Sequence, residues 1–279
     1  MIAVYAMGGG LGHLARARRV LQALGCAPAD AAILSASPLA CGSECGSECG
    51  PNIVPVPRRL AHSRAEFGAW LKKTLRALAP AAVVVDAFPL GILGELADPR
   101  VLPEAPLYHV ARLLKWNVYR EAFAGTPRKY QASYVVEELA AEHGKYLAEN
   151  SERVLSLELS SKRRSQTENP FKDPVWLIVH SGPAAEVRAL IEFASRQAKN
   201  TAPRFVVVSP RALDLPAGVT RIAHERAWEL FPHADRIVTG CGFNTMREAA
   251  PWRAKHLFLP LERRFDDQHL RAERARAGC

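Results

Sequence analysis

The regular alternation of short apolar runs with amphipathic segments constrains this chain most strongly. Strands are predicted at Ile2–Ala6, Ala31–Ser35 and Ala82–Asp86, and helices at residues 13–24 and Arg64–Leu78. Strands that alternate with helices of this length form parallel sheets covered by helices on both faces. The sequence therefore predicts an α/β fold with a doubly wound parallel sheet.

This alternation stops once and then restarts. Residues 160–173 are polar and read as a linker, and further strands and helices follow them. We predict an N-terminal Rossmann-like domain at residues 1–160, a linker at 161–173 and a second such domain at 174–279. Open parallel sheets bind ligands beyond the carboxyl ends of their strands, so a ligand is expected in a cleft between the two domains.

Two helix predictions can be tested residue by residue. The helix at residues 13–24 has an apolar face, and Arg16 and Arg19 are expected to point away from it. Residues 133–149 are expected to form another helix.

The charge of the chain favours anionic partners. Its 37 Lys and Arg against 28 Asp and Glu give a net charge of +9. No basic stripe with interleaved aromatic residues is present, which argues against a nucleic-acid-binding protein. A phosphorylated metabolite and a peripheral contact with an acidic membrane surface both stay open. No apolar run is long enough to span a bilayer, and the first strand begins at residue 2, so a cytoplasmic protein is expected.

Residues 41–50 contain a tandem Cys-Gly-Ser-Glu repeat. Cys41, Cys45 and Cys49, with Glu44 or Glu48, could be read as metal ligands. The spacing matches no zinc knuckle, and no second pair follows at zinc spacing. We interpret the repeat as a surface loop and predict no metal site.

The first strand is followed by Gly-Gly-Gly-Leu-Gly-His at residues 8–13. Glycines allow close approach of the backbone to a ligand, and the helix that follows favours negative charge at its start. A dinucleotide fingerprint requires Gly or Ala where His13 stands, and an acidic residue after Ala31–Ser35, where none occurs. These two differences argue against an NAD-linked enzyme.

A second glycine turn follows the strand predicted at residues 236–239. Gly240 and Gly242 would clear the approach of a ligand, and the amides near Asn244 and Thr245 could hold a diphosphate. Glu248, one turn further, could accept two hydrogen bonds from a ribose diol. The alternative for Glu248 is a solvated helix residue with no ligand.

Residues 8–13 and 234–268 together resemble the GT-B glycosyltransferases, in particular the MurG-type GlcNAc transferases of the family 28 type. The resemblance implies two Rossmann-like domains facing each other across a cleft. It further implies that His13, or an acidic group near it such as Asp86, is the general base. Gly12, in the first glycine turn, is expected to help bind the donor.

The resemblance also implies roles for residues late in the chain. Asp267 and Gln268 match an acidic-Gln pair that binds hydroxyls of the donor sugar, and Asp267 is also suited to cap the helix Gln268–Ala277. Arg211 or Arg247 is expected to stabilise the diphosphate leaving group. No metal and no cofactor are implied.

These features predict a metal-independent inverting glycosyltransferase. The expected donor is a nucleoside diphosphate sugar, UDP-linked in the first instance, and the acceptor is a small molecule, a lipid or a glycan. Two alternatives stay open, namely a nucleotide-sugar hydrolase or epimerase on the same fold and a non-catalytic nucleotide-sugar binder. One departure from the family is the turn at residues 180–183, where Pro183 removes a backbone amide.

Overall fold

The computed structural model describes residues 1–8, 10–37, 52–159, 168–199, 201–224 and 226–278. The chain divides into two compact units. The first comprises Met1–Ser160 together with Arg264–Asp266, and the second comprises Ser161–Arg263 and Asp267–Cys279. The cysteine repeat at 41–50 and the part of the predicted linker up to residue 167 lie outside the described residues.

The first unit contains a seven-stranded parallel sheet. Along the chain its strands are β1 (Ile2–Ala6), β2 (Ala31–Ser35), β3 (Asn52–Pro55), β4 (Ala82–Asp86), β5 (Leu107–Ala111), β6 (Ala132–Val135) and β7 (Val154–Ser156). Their order in space is β3-β2-β1-β4-β5-β6-β7. The direction in which strands are added reverses between β1 and β4, which is the topological switch point of a Rossmann sheet.

In the described part of this unit, the sheet is covered by the α-helices α1 (Leu11–Ala23), α2 (Arg64–Leu78), α3 (Trp116–Ala122) and α4 (Ala141–Asn150). Strands β1 and β4 are apolar throughout except for Asp86, and β2 except for Ser35, because helices bury both faces of the central strands. One face of the sheet packs on α2 through Phe67, Leu71 and Leu75. Short 3-10 helices lie at Pro28–Asp30, Arg58–His62, Glu95–Ala97 and Pro99–Val101.

The second unit repeats the same plan with five parallel strands. These are β8 (Val175–Val179), β9 (Arg204–Val208), β10 (Thr220–Ile222), β11 (Arg236–Gly240) and β12 (His256–Leu259), in the order β10-β9-β8-β11-β12. Its helices are α5 (Ala184–Ala198), α6 (Phe243–Glu248) and α7 (Gln268–Ala277), with 3-10 helices at Ala227–His233 and Ala250–Lys255. The switch point here lies between β8 and β11.

The predicted α/β class with two doubly wound Rossmann-like sheets is confirmed. The helix predicted at residues 133–149 is wrong, since this segment holds strand β6 and then helix α4. Strand and helix each contribute apolar residues, and no Gly or Pro separates them, so their combined pattern imitates one long helix. The predicted orientation of Arg16 is also wrong, because this side chain is buried. Within the described residues, no helix is long and apolar enough to cross a membrane.

Candidate functional site

His13 and Asp86 meet at the switch point of the first sheet. Asp86 is the last residue of β4, and His13 lies in the first turn of α1, which follows β1. Nδ1 of His13 lies 2.6 Å from Oδ2 of Asp86, a short hydrogen bond in which the ring nitrogen donates to the carboxylate. The two candidates for the catalytic base therefore form one pair.

Arg16 completes this cluster from one turn further along α1. Its Nε donates to Oδ1 of Asp86 at 2.5 Å and its Nη2 donates to Oδ2 at 2.7 Å. The guanidinium thus binds the carboxylate in the two-bond geometry for which it is well shaped. Nη2 also lies 3.0 Å from Nδ1 of His13. Arg16 and Asp86 are both almost fully buried, whereas the side chain of His13 keeps 14% of its surface exposed.

Gly8 and Phe88 fix the ring of His13 from two sides. A Cβ atom at Gly8 would lie 2.1 Å from Cδ2 of His13, so only glycine leaves room for the imidazole. Phe88 stacks on the same ring, with 5.6 Å between the centroids. With Nδ1 donating to Asp86, the lone pair lies on Nε2, which makes no hydrogen bond within the described part of the chain.

The electrostatics favour a neutral His13 beside an ionised Asp86. Burial lowers the pKa of His13, and the positive charges of Arg16 and Arg112 lower it further, against the opposing effect of Asp86. Burial works against ionisation of Asp86, but the charges and hydrogen bonds of Arg16 and His13 outweigh it and lower the pKa of that carboxyl. A neutral imidazole held by a carboxylate can accept a proton at Nε2.

Two buried tyrosines hold the loop after β4 in place through hydrogen bonds to its backbone. The hydroxyl of Tyr119 donates to the carbonyl of Gly91 and accepts from the amide of Leu90, both at 2.9 Å. Tyr130 donates to the carbonyl of Pro89 at 2.8 Å. These bonds hold the loop that carries Phe88, and through it the ring of His13.

The segment Arg264–Asp266 packs into the first unit beside this loop. Phe265 contacts the rings of Phe88, Tyr119 and Phe123, and Asp266 forms an ion pair with Arg112. The amide of Lys115 donates to the carbonyl of Phe265 at 2.7 Å. Arg112 directly follows β5 and Asp86 ends β4, so both residues stand at the same edge of the sheet.

The two glycines of the second glycine turn have different surroundings. A Cβ atom at Gly240 would lie 3.0 Å from Cδ1 of Leu261, whereas nothing lies within 4 Å of one at Gly242. Gly242 has φ −66° and ψ 145°, which any residue adopts. Gly240 is explained by packing, and Gly242 faces open space. Asn244, Thr245 and Glu248 follow in α6 and are half-buried.

Gln268 and Asp267 both bind backbone amides. Oε1 of the buried Gln268 accepts from the amides of Cys241 at 3.1 Å and Leu261 at 3.0 Å. The carboxylate of Asp267 accepts from the amide of Leu270 at 3.0 Å and caps α7. Gln268 thereby ties together the segments that follow β11 and β12 at the carboxyl edge of the second sheet.

Arg211 lies at the same edge, where its Nε donates to the carbonyl of Ser181 at 3.0 Å. Glu186, in the first turn of α5, accepts from both terminal nitrogens of Arg263 at 2.7 Å and contacts Nε2 of His180 at 2.6 Å. Burial works against ionisation of Glu186, but His180 and Arg263 outweigh it and lower its pKa to about 2.

The structure thus gathers the sequence-predicted residues into two groups. His13 and Asp86 form the first, with Gly12 exposed at the start of α1, and the residues from Gly240 to Gln268, with Arg211, line the carboxyl edge of the second sheet. Sequence reasoning missed Arg16, Arg112 and the Glu186–Arg263 pair. The spacing of three residues between His13 and Arg16, which puts both on one helix face, was the available signal.

The described residues contain no group of three or more His, Cys, Asp or Glu side chains placed to hold a metal ion. The chain matches no protein-family model and no curated protein. It is similar in structure to several solved proteins.

The spinosyn rhamnosyltransferase SpnG, complexed with thymidine diphosphate, has a TM-score of 0.56 at 14% identity over 100% of this chain and 84% of that one. MurG from Acinetobacter baumannii has a TM-score of 0.50 at 15% identity, over 99% and 81%. The complex of S. aureus MnaA with UDP has a TM-score of 0.59 at 10% identity, over 94% and 80%. These likenesses confirm the GT-B fold to which the sequence motifs point.

Proposed function

We propose that this chain of GT-B fold is an inverting glycosyltransferase that moves a sugar from a nucleoside diphosphate donor to an acceptor hydroxyl or amine. The observation that carries the proposal is the His13–Asp86 pair at the switch point of the first sheet, in which Nε2 of His13 makes no hydrogen bond to any residue that the structure describes. Nucleotide-bound neighbours of the same fold support a nucleotide-sugar donor, and UDP and TDP are the first to test.

In the proposed mechanism, Nε2 of His13 takes the proton of the acceptor as its oxygen or nitrogen attacks the anomeric carbon. The bond from that carbon to the diphosphate breaks on the opposite face, so the configuration inverts. Asp86 holds the ring through Nδ1 and fixes the tautomer that leaves the lone pair on Nε2.

In the same proposal the donor is held by the second unit. The open space at Gly242 lets the diphosphate approach the backbone at the start of α6, and Arg247 or Arg211 offsets its charge. Glu248 accepts from the ribose, and Asp267 and Gln268 bind the sugar. No step in this proposal uses a metal ion.

The function is tested first by ligand binding and turnover. A nucleoside diphosphate at a hundred times its Kd is expected to stabilise the protein by about 2.7 kcal/mol, which thermal denaturation detects. His13→Ala is expected to keep that stabilisation and to lose at least about 10²-fold in turnover. A panel of nucleoside diphosphates that shifts no melting curve would overturn the donor assignment.

The same assay separates the alternatives. Release of UDP from UDP-sugar without an acceptor indicates a hydrolase, conversion to another UDP-sugar indicates an epimerase, and binding without turnover of any donor indicates a non-catalytic binder.

Gly242→Ala tests the donor site directly. The backbone angles of Gly242 suit alanine, and no atom of the described residues lies within 4 Å of the added Cβ, so we expect thermal stability within about 0.5 kcal/mol of the parent. The added methyl would occupy the space proposed for the diphosphate, so affinity for UDP should fall at least about tenfold, or 1.4 kcal/mol. Gly240→Ala is the contrasting variant. Its Cβ would lie 3.0 Å from Cδ1 of Leu261, so this substitution should lower stability. Unchanged UDP affinity in a stable Gly242→Ala protein contradicts the assignment, and calorimetry decides it.

A further inference from the structure

The bidentate binding of Asp86 by Arg16 has no role in the mechanism given above. Both carboxylate oxygens of Asp86 receive a hydrogen bond from Arg16, at 2.5 and 2.7 Å, and Oδ2 also receives one from His13. Arg16 and Asp86 lie in the interior, where charge interactions are screened less than at the surface. The negative charge beside His13 is therefore balanced by a cation that is held at fixed distance.

A buried carboxylate with no such partner would work against the proposed chemistry. An ionised group at 2.6 Å from an imidazole stabilises the imidazolium, which already carries the proton that a general base must accept. The pairing that orients His13 would then also leave it protonated near neutral pH. Offsetting the charge of Asp86 keeps the hydrogen bond that orients the ring and favours the neutral imidazole that accepts a proton.

We propose that Arg16 is a positioning residue for this transfer: by binding both oxygens of Asp86 it leaves the carboxylate as a hydrogen-bond acceptor for Nδ1 of His13 and keeps the ring neutral, with Nε2 ready to take a proton. The inference rests on the proposed function, because it assigns the arginine a part in that reaction. The atoms that react with the acceptor belong to His13, and Arg16 acts through Asp86.

The other charged and titratable groups near His13 come from three further elements. Asp86 ends β4 and Arg112 follows β5, while Asp266 in the segment Arg264–Asp266 pairs with Arg112 and offsets its charge. His109 of β5 is buried and its pKa lies at about 4, so it is neutral near pH 7. Arg16 contacts both members of the pair directly, and burial of His13 acts in the same direction.

The first test is titration of His13 by NMR in the intact, unliganded protein, with the resonance assigned by its loss in His13→Gln. We expect a pKa below the ordinary 6.5 and nitrogen shifts of a ring protonated at Nδ1. A pKa above 6.5 overturns the proposal, because Arg16 would then not keep the ring neutral.

The second test uses Arg16→Gln and Arg16→Lys. Gln removes the charge and Lys keeps it, so the pKa of His13 should rise by at least one unit in the first variant and by less than half as much in the second. In Arg16→Gln the acidic limb of kcat/KM should move up by the same amount, so that kcat/KM falls about tenfold at a pH below both pKa values, while turnover on the alkaline plateau changes only a few-fold.

Arg100→Gln is the matched control. Arg100 makes the same two-bond pair with Asp98 on the exposed surface of the first unit, so its loss should leave the titration of His13 unchanged. If Arg16 had only a structural role, Arg16→Gln would lower the melting temperature and leave the pKa of His13 unchanged. That result would overturn the proposal. Should Arg16→Gln not fold, a pKa of His13 above 6.5 in the parent protein still overturns the proposal.

These measurements also separate this inference from the proposed function. The titration needs no substrate, so it can fail while UDP binds and turnover is normal. Conversely, a chain with the expected titration and no nucleotide binding or turnover would refute the glycosyltransferase and leave the role of Arg16 in the pair intact.

Discussion

Gly8 shows, at the scale of single residues, how a glycine in a ligand-type motif can serve a neighbouring side chain. The ring of His13 fills the space where a Cβ of residue 8 would stand, whereas nothing lies within 4 Å of a Cβ at Gly10. Two glycines two positions apart therefore have different causes, which the sequence pattern alone does not separate.

We expect Gly8→Ala to displace the imidazole of His13 and to reduce turnover by about 10²-fold, since a misplaced base loses most of its contribution. UDP affinity should change little, because the proposed donor residues other than Gly12 lie in the second unit. Gly10→Ala is the control and should retain turnover, because its φ of −114° and ψ of 172° suit alanine. Steady-state kinetics on both variants check this, and equal losses in the two would count against the role given to Gly8.

The predicted base residues His13 and Asp86 lie in contact, but the sequence did not reveal Arg16 between them. Periodicity assigns charged residues to the solvent face and therefore places Arg16 there. Arg16 is buried because it pairs with Asp86, and helical periodicity contains no information about such a partner. The carboxylate that buries Arg16 lies 70 positions away, so no local pattern contains it. The backbone contacts of Gln268 are equally non-local.

At the scale of elements, the boundaries of buried strands were the most predictable feature. The bounds of β1, β2 and β4 follow directly from the sequence, because a strand covered on both faces is a short apolar run. Strand β7 was missed, because its residues are exposed and carry no such contrast. Helix α3, of only seven residues, has too few turns to show a period.

Helix α7 offers a test at the same scale. Asp267→Ala removes the side chain that caps it and should cost about 0.5–2 kcal/mol, whereas Asp267→Asn keeps an equally good cap and should cost a few tenths. Thermal denaturation measures both. If Asp267 also binds the donor sugar, Asp267→Asn should weaken UDP-sugar binding without loss of stability; a full loss of stability in the Asn variant would show that the carboxylate does more than cap.

At the scale of the whole molecule, both units bury histidines that must stay neutral. Burial lowers the pKa of His109 to about 4 and that of His143 to about 3 in the first unit, and that of His256 to about 3 in the second. His143 stacks on Trp116 at 4.0 Å, and its two ring nitrogens have no hydrogen-bond partner among the described residues.

These histidines predict acid sensitivity. A group whose pKa is lower in the folded state contributes stability that is complete above its unfolded value of about 6.5 and is lost as the pH falls toward the folded value. We expect the free energy of unfolding to decrease from pH 7.5 to 5.5, with a slope approaching about 1.4 kcal/mol per pH unit for each histidine in the cooperative unit.

His143→Phe isolates one of these groups, since Glu95, whose pKa burial raises, contributes equally to both proteins. The variant keeps the stacking on Trp116. Its free energy of unfolding, measured by urea denaturation, should depend less steeply on pH, and the difference should equal the contribution of about one titrating group. Identical pH dependence in the two proteins would show that His143 is not the source.

The three residues Arg264–Asp266 have a consequence for how the chain can be made and divided. Because they belong to the first unit, a fragment ending near residue 159 lacks the ring of Phe265 and leaves the buried Arg112 without Asp266. Loss of a buried phenylalanine alone costs about 3–5 kcal/mol, a large share of the stability of a typical domain. During synthesis on the ribosome, the first unit therefore reaches its full stability only after most of the second has emerged.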